Sequence, residues 1–305
     1  MRVTSQIVSH NLKKNIERQM RDIAQNQLDI SSGKKLSTLS ENPSDLGKAM
    51  ALKTSLDKQE QYKSNIDNAI GWMNQTETAL ADSAELVLSA RDLVLEVGNL
   101  GVGETDMKAM SAEVGVIIEQ LTANTNTVLG RSYIFAGIQT DNKFVDNNPE
   151  NGYLIEGTDP QLYYHGEATG KIRKEIATGI TMQVNVSGEV FVKGENNIFK
   201  NLTDLKSALE SGDKDKVSEL LDKLDQNHDS LVQERTAVGG KIKHLENMQE
   251  QMDNQSLNMQ TLLENLQGVD TAETTIQLAE NKMAYEASLA ISAKILQTNI
   301  LDYLR

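Results

Sequence analysis

The sequence predicts a mainly α chain with a β-rich insert: a long antiparallel helical coiled-coil bundle carrying a small β domain at one end. Three observations predict it. Apolar residues recur every seven positions in long segments on both sides of the chain's middle. Only 3 of the 305 residues are proline and only 4% are aromatic, which suits long uninterrupted helices better than a compact enzyme core. Residues 131–200 break this pattern, holding all four Phe, four of the seven Tyr, two of the three Pro and eight Gly.

The elements follow in order. Near the N-terminus Val8, Leu12, Ile16, Met20, Ile23 and Ile30 step by three, four or seven, an amphipathic helix. Asn42-Pro43-Ser44-Asp45 is a helix start signal, with capping side chains and an early carboxylate. Behind it Leu52, Gln59, Ile66, Met73, Leu80, Val87 and Val94 form one seam with a single polar member. Gly98 and the Leu100–Gly103 loop end that helix. Met107, Val114, Leu121 and Val128, with Met110 and Ile117 beside them, make a third, and so short a loop implies antiparallel neighbours.

In the compositionally distinct stretch, Asn151-Gly152 signals a hairpin. Gln161–His165, Gly179–Val186 and Glu189–Lys193 read as strands, with Ser187-Gly188 as a tight turn between the last two. A short helix near 202–211 leads into the strongest signal of all. Val217, Leu224, Leu231, Val238, Leu245, Met252, Met259 and Leu266 lie seven apart without exception. A helix of roughly 50 residues spans about 75–80 Å. Gly239-Gly240 interrupts it, costs roughly 2 kcal/mol against alanine and is a candidate for a bend.

The C-terminal segment carries two stripes: Ile276, Ala279, Met283, Ala287 and Ala290, and Leu278, Tyr285, Leu289, Leu296, Ile300 and Tyr303. Two apolar faces on a terminal helix call for partners beyond the chain itself. Burial of each Ile or Leu contributes on the order of 1.5–3 kcal/mol. The assembly candidates are therefore Leu12, Ile16 and Ile23 at one end, and Ile276, Met283, Leu289, Leu296, Ile300, Leu301 and Leu304 at the other. The expected organisation is a terminal region 1–42, a first helical arm 43–130, a β-rich outer domain 131–200, a return arm 201–268 and a terminal helix 269–305.

Composition also excludes. Net charge is −14, so a phosphate backbone is repelled and no nucleic-acid partner is expected. With no cysteine there is no disulfide, thiolate zinc site or Cys nucleophile. No 18-residue apolar stretch and no apolar leader occur, so neither a membrane span nor a Sec signal peptide is expected. His10, His165, His228 and His244 are scattered; the last two, 16 apart on one helix, sit about 24 Å from each other and cannot share an ion. No nucleophile elbow, P-loop, zinc-protease or EF-hand pattern is present. The chain is expected to be no enzyme and to need no cofactor or metal.

Specific stretches bear a family resemblance. Ile30-Ser-Ser-Gly-Lys-Lys-Leu36, followed by Glu41-Asn-Pro-Ser-Asp45, resembles the N-terminal flagellin-type region, with Gly33 in its motif. Ala284-Tyr-Glu-Ala-Ser-Leu289 running to Ile300-Leu-Asp-Tyr-Leu-Arg305 resembles the matching C-terminal region. Gly130-Arg-Ser-Tyr-Ile-Phe-Ala-Gly137, which contains Arg131, Tyr133, Phe135 and Gly137, is similar to a motif of the hook–filament junction (hook-associated protein 3) branch of the bacterial flagellin family. So are the opening Met1–Thr4, the Thr140 and Phe144 that follow the motif, Tyr164-His-Gly166 and Val186-Ser-Gly-Glu-Val-Phe191.

The resemblance implies a structural subunit of the extracellular flagellum, joining hook to filament through its terminal helices. It implies export through the flagellar type III channel and a dedicated export chaperone over the C-terminal helix. It further implies self-association in a ring, with hook-associated protein 1 below and flagellin above. The rival readings are flagellin itself, a type III needle-tip or translocator protein, a chemoreceptor-like signalling hairpin and, out of class, an enzyme.

Overall fold

Apart from Val128, which lies beyond its helix in a short strand, the residues of each heptad stripe sit on continuous helices in the computed structural model, which describes residues 2–35, 43–99, 102–147, 152–155, 158, 161–165, 170–194 and 197–303. The chain divides into two units: a central unit, 59–253, and a terminal unit made of 1–58 and 254–305.

In the central unit, α2 (Pro43–Asn99) and α6 (Lys214–Gln267) pair along their lengths. Four polar links run between them: Lys63 Nζ to Asp253 Oδ1 at 2.7 Å, Gln249 Nε2 to Asp67 Oδ1 at 2.7 Å, Arg235 Nη2 to Glu77 Oε1 at 2.6 Å, and Arg91 to Asp225. As the α2 number rises from 63 to 91 the α6 number falls from 253 to 225, 28 residues on each. The helices are therefore antiparallel and in register over four heptads. Their seams form the core: Ile66, Met73, Leu80, Val87 and Val94 of α2 and Val217, Leu224, Leu231, Val238, Leu245 and Met252 of α6 are all buried.

α3 (Glu104–Thr125) and α5 (Ile198–Ser211) pack on each other and complete this bundle. Met107, Val114 and Leu121 of α3, and Leu202, Leu205 and Leu209 of α5, enter the core. The helix ends are chemically closed. The Gly103 N–H donates to Asp106 Oδ2 at 3.3 Å, and Asn197 Oδ1 accepts from the Lys200 N–H at 3.0 Å. Gly212 ends α5 at φ +71°, after which Asp213 Oδ1 accepts from the Lys216 N–H at 3.2 Å to open α6. A buried Asn201 Nδ2 donates to Asn227 Oδ1 at 2.8 Å between α5 and α6.

Among its described residues the insert between α3 and α5 holds seven short strands: β1 (Val128–Leu129), β2 (Ser132–Tyr133), β3 (Val145–Asp146), β4 (Gly152–Ile155), β5 (Leu162–His165), β6 (Arg173–Ala177) and β7 (Ile180–Gln183). They form antiparallel sheets β1-β2, β3-β5-β4 and β6-β7. Asn65 Nδ2 donates to the Glu175 carbonyl at 2.8 Å, so the insert lies at the 59/253 end of the unit. The opposite end is where α2 passes into α3 and α5 into α6.

Three expectations are corrected here. Glu189–Lys193 is no strand: Glu189–Val192 is a single helical turn, α4. Its Phe191 is fully buried, 5.0 Å from Phe135 in an edge-to-face contact and 6.5 Å from Phe144. That packing overrides the β preference of the local Val-Phe-Val run. Ser187-Gly188 accordingly makes no hairpin. Gly188 has right-handed helical φ, −63°, and a Cβ there would collide with the Phe144 ring and come within 2.8 Å of the Phe135 carbonyl. Gly239-Gly240 does not break α6. Both glycines face open space, and the flanking Val238 and Leu245 are fully buried, so packing offsets the backbone cost. As for the Asn151-Gly152 hairpin, Asn151 lies outside the described residues. Gly152 starts β4, and the hairpin that closes is β4–β5.

Candidate assembly surface

The terminal unit contains α1 (Arg2–Ser32), the first residues of α2, the last residues of α6, and α7 (Thr271–Tyr303). α1 ends in Gly33 at φ +67°, whose N–H bonds the Asp29 carbonyl at 2.9 Å. Its carbonyl accepts from the Val269 N–H at 3.2 Å, and the Lys35 N–H donates to the Gln267 carbonyl at 2.7 Å. This lattice of backbone bonds sets the end of α1 beside the start of α7. Asp270 then caps α7, its Oδ1 accepting from the Ala272 N–H at 2.9 Å and the Glu273 N–H at 3.1 Å. The two helices pack antiparallel.

Their shared seam is thin. On α1 the covered side carries Leu12, Ile16, Gln19, Ile23, Asn26 and Ile30, all only half-buried. On α7 it carries Thr274, Leu278, Asn281, Tyr285, Ser288 and Ser292. Four of those six are polar. Gln19 Oε1 and Asn26 Nδ2 are buried there without a hydrogen bond. Among the described residues of this unit, Ala49 is the one apolar side chain that is fully buried; the rest of the core belongs to the central unit.

The opposite side of α7 is uncovered. Ile276, Ala279, Met283, Ala287, Ala290 and Ile291 are all exposed, with Ile276 at 61%, Met283 at 63% and Ile291 at 54%. At about 100° per residue this stripe is centred roughly 180° from the covered side. The two apolar stripes read from the sequence thus have different fates. The first faces out whole, while Leu278 and Tyr285 of the second are half-buried and Leu289 stays 42% exposed. Leu296, Ile300 and Leu301 continue the α7 backbone, but their side chains, like all of Leu304, lie outside the described residues. Met20 and Leu28 of α1, Met50 of α2 and Leu257 and Leu262 of α6 add further exposed apolar side chains in this unit.

The family-motif residues sit elsewhere and act within the insert. The Tyr133 N–H donates to the Thr140 carbonyl at 2.7 Å, Phe135 is fully buried and Gly137 turns at φ +65°. Arg131 is exposed at the β1–β2 turn. Sequence reasoning missed the side chains that clip this region together. Asn126 Oδ1 accepts from the Phe144 N–H at 2.9 Å and the Val145 N–H at 3.0 Å. Buried Asn185 accepts from the Ile172 N–H at 2.8 Å and donates to the Gly170 carbonyl at 2.7 Å. Nothing in an isolated Asn signals such long-range backbone bonds.

A cleft of about 290 Å³ between α3, α5 and β5 is lined by Glu119, Thr122, Thr158, Thr203 and Lys206 among others. The hydroxyl protons of its threonines already serve the carbonyls of Ile118, Ile155 and Phe199. Among the described residues no group of three His, Asp or Glu side chains is placed to hold a metal, and no helix is long and apolar enough to cross a membrane. Titration is perturbed at few groups. A hydrogen bond and charge from Asp253 raise Lys63, burial raises Tyr164, and hydrogen bonds from Lys216 lower Asp213.

Against known families, the bacterial flagellin N-terminal helical region matches residues 3–140. Over these residues the chain is similar to a flagellin-type N-terminal region. That region contains α1, α2, α3 and the Arg131–Gly137 motif. Among solved structures the chain is similar to a putative flagellar hook-associated protein from Vibrio parahaemolyticus, at 21% identity and TM-score 0.66, over 75% of this chain and 100% of that one. It is also similar to FlgL from Bacillus cereus, at 22% identity and TM-score 0.59, over 70% and 99%. The flagellar junction protein FlgL from Legionella pneumophila matches at 14% identity and TM-score 0.58, over 73% and 100%. The likeness is one of fold, and each of these chains is spanned almost end to end. Among curated proteins none matches significantly. The flagellin-type region thus supplies one half of the terminal unit, and α7 supplies the exposed stripe opposite it.

Proposed function

We propose that this chain is a structural subunit of the bacterial flagellum, placed at the junction between hook and filament and assembling through its terminal helices. The observation that carries the reading is the terminal unit itself. It buries little apolar surface of its own and leaves the Ile276–Met283–Ile291 stripe in water. An exposed apolar stripe of this kind marks a surface for contact with another chain. The flagellin-type region at residues 3–140 and the fold likeness to hook-associated proteins support the flagellar setting.

In this reading Leu12, Ile16 and Ile23 hold α1 on α7, while Ile276, Met283 and Leu289 dock onto the next copy of a ring. Leu296, Ile300, Leu301 and Leu304 extend the docking face toward the C-terminus. Regions 1–42 and 269–305 form the axial core, and residues 131–200 project outward. Hook-associated protein 1 and flagellin are the neighbours along the axis, and an export chaperone covers the terminal helix before secretion to the extracellular flagellum. The chain performs no catalysis and takes no cofactor.

Deleting the gene, counting filaments by electron microscopy and assaying flagellin in the medium tests the placement. Hooks without filaments together with leaked flagellin are expected. Hooks without filaments and without leaked flagellin would make the chain the filament subunit, the reading that the flagellin-type region also suits. Normal filaments would overturn both.

A further inference from the structure

The charge of this chain is not shared between its two units. The central unit, 59–253, holds 32 of the 44 acidic and 17 of the 30 basic residues, a net charge of −15. The terminal unit holds the remaining 12 acidic and 13 basic residues, a net charge of +1. The unit that exposes apolar stripes is therefore neutral, and the unit with its own core carries the whole excess of negative charge.

We propose that the acidic central unit is an electrostatic gate on self-association. This rests on the reading that copies associate through the terminal unit. Contact between neutral apolar surfaces meets no charge barrier, but it draws two bodies of charge −15 together. The repulsion between like-charged bodies reaches about a Debye length, about 30 Å at 0.01 M salt and about 8 Å at 0.15 M. At low ionic strength the gate holds copies apart. At moderate ionic strength it opens, and the terminal surfaces associate. Glu60, Asp82, Glu96, Glu113, Asp222 and Glu246 are all exposed, and among the described residues none of them forms an ion pair. The partner of this gate is a second copy of the same chain.

Sedimentation velocity of the full chain in 10 mM and 150 mM sodium chloride, over a concentration series, tests the gate. The concentration at which association begins is expected to fall at least about tenfold between the two salts. This range is low enough that salting-out of apolar surface contributes little. Changing the six exposed carboxylates to lysine brings the central unit from −15 to −3, and changing them to Gln or Asn brings it to −9. Association at 10 mM is expected to strengthen in the order wild type, amide variant, lysine variant, with circular dichroism confirming that all three are folded. An unchanged or weaker association at 150 mM overturns the proposal, as does a chain that stays monomeric at both salts, or a lysine variant that keeps the wild-type salt dependence. The gene-deletion phenotype is independent of all three, so the gate can fail while the junction reading stands.

Discussion

Changing Met283 to Asp is expected to separate assembly from folding. In the monomer Met283 lies mid-way along the uncovered face of α7 and is 63% exposed. A charge placed there meets water, so monomer stability is expected to change by no more than about 0.5 kcal/mol. Assembly changes the arithmetic. Complete burial of a Met contributes about 1.5–3 kcal/mol, and roughly two thirds of that remains to be gained here, about 1–2 kcal/mol per copy. An aspartate forfeits this and adds the cost of desolvating a carboxylate, which raises the loss to several kcal/mol at each contact. In the proposed assembly every copy carries the same lesion, so the assembled state is expected to vanish. The measurements are the thermal melting of the purified chain by circular dichroism and, in cells, complementation of the deletion scored by motility and filament counts. A melting point within about 2 °C of wild type with no complementation is expected. A clear drop in melting point, or full complementation, would refute the claim that this face is empty in the monomer and filled in the assembly.

Three further outcomes follow from the central unit. Leu224→Ala removes a fully buried seam residue of α6 and is expected to cost about 2–5 kcal/mol, read by urea unfolding. Gly188→Ala drives a methyl group into the Phe144 ring and against the Phe135 carbonyl, with an expected loss of about 1–3 kcal/mol; thermal melting and near-ultraviolet circular dichroism of the aromatic cluster would report it. Asp213 caps α6, and its hydrogen bonds from Lys216 hold its carboxyl below the usual carboxylate value. A depressed folded value means the cap contributes above the unfolded value, near 3.8, and is lost as pH falls through the folded one. The protection of amides in the first turn of α6, exchange rates being divided by the intrinsic rate at each pH, is therefore expected to fall on acidification below about pH 4. Asp213→Asn, which keeps an acceptor but no titrating group, is expected to abolish that pH dependence.

Much of the fold was legible because its determinant is periodic. Eight apolar residues seven apart leave α6 little choice, and the matching stripe of α2 names its partner. The insert was less legible, because its strands are two to five residues long and are held by particular atoms rather than by pattern. Asn126 and Asn185 each bind backbone far along the chain, and the α4 turn exists because Phe191 fits between Phe135 and Phe144. In the assembly surface the sequence showed two stripes on α7 but not which would be covered. That depends on α1, whose apolar side meets the face carrying Leu278 and Tyr285 and leaves Ile276 and Met283 outside.

The same geometry explains why so polar a seam is tolerated. Leucines at Gln19, Asn26, Asn281 and Ser288 would make a tighter α1–α7 pair. They would also widen the apolar surface on both sides of α7, where any two copies could meet out of register. A half-polar seam under an apolar outer stripe keeps the two terminal helices together only weakly. In the proposed assembly the larger gain, the burial of Ile276, Met283 and Ile291, is left to the contact between copies.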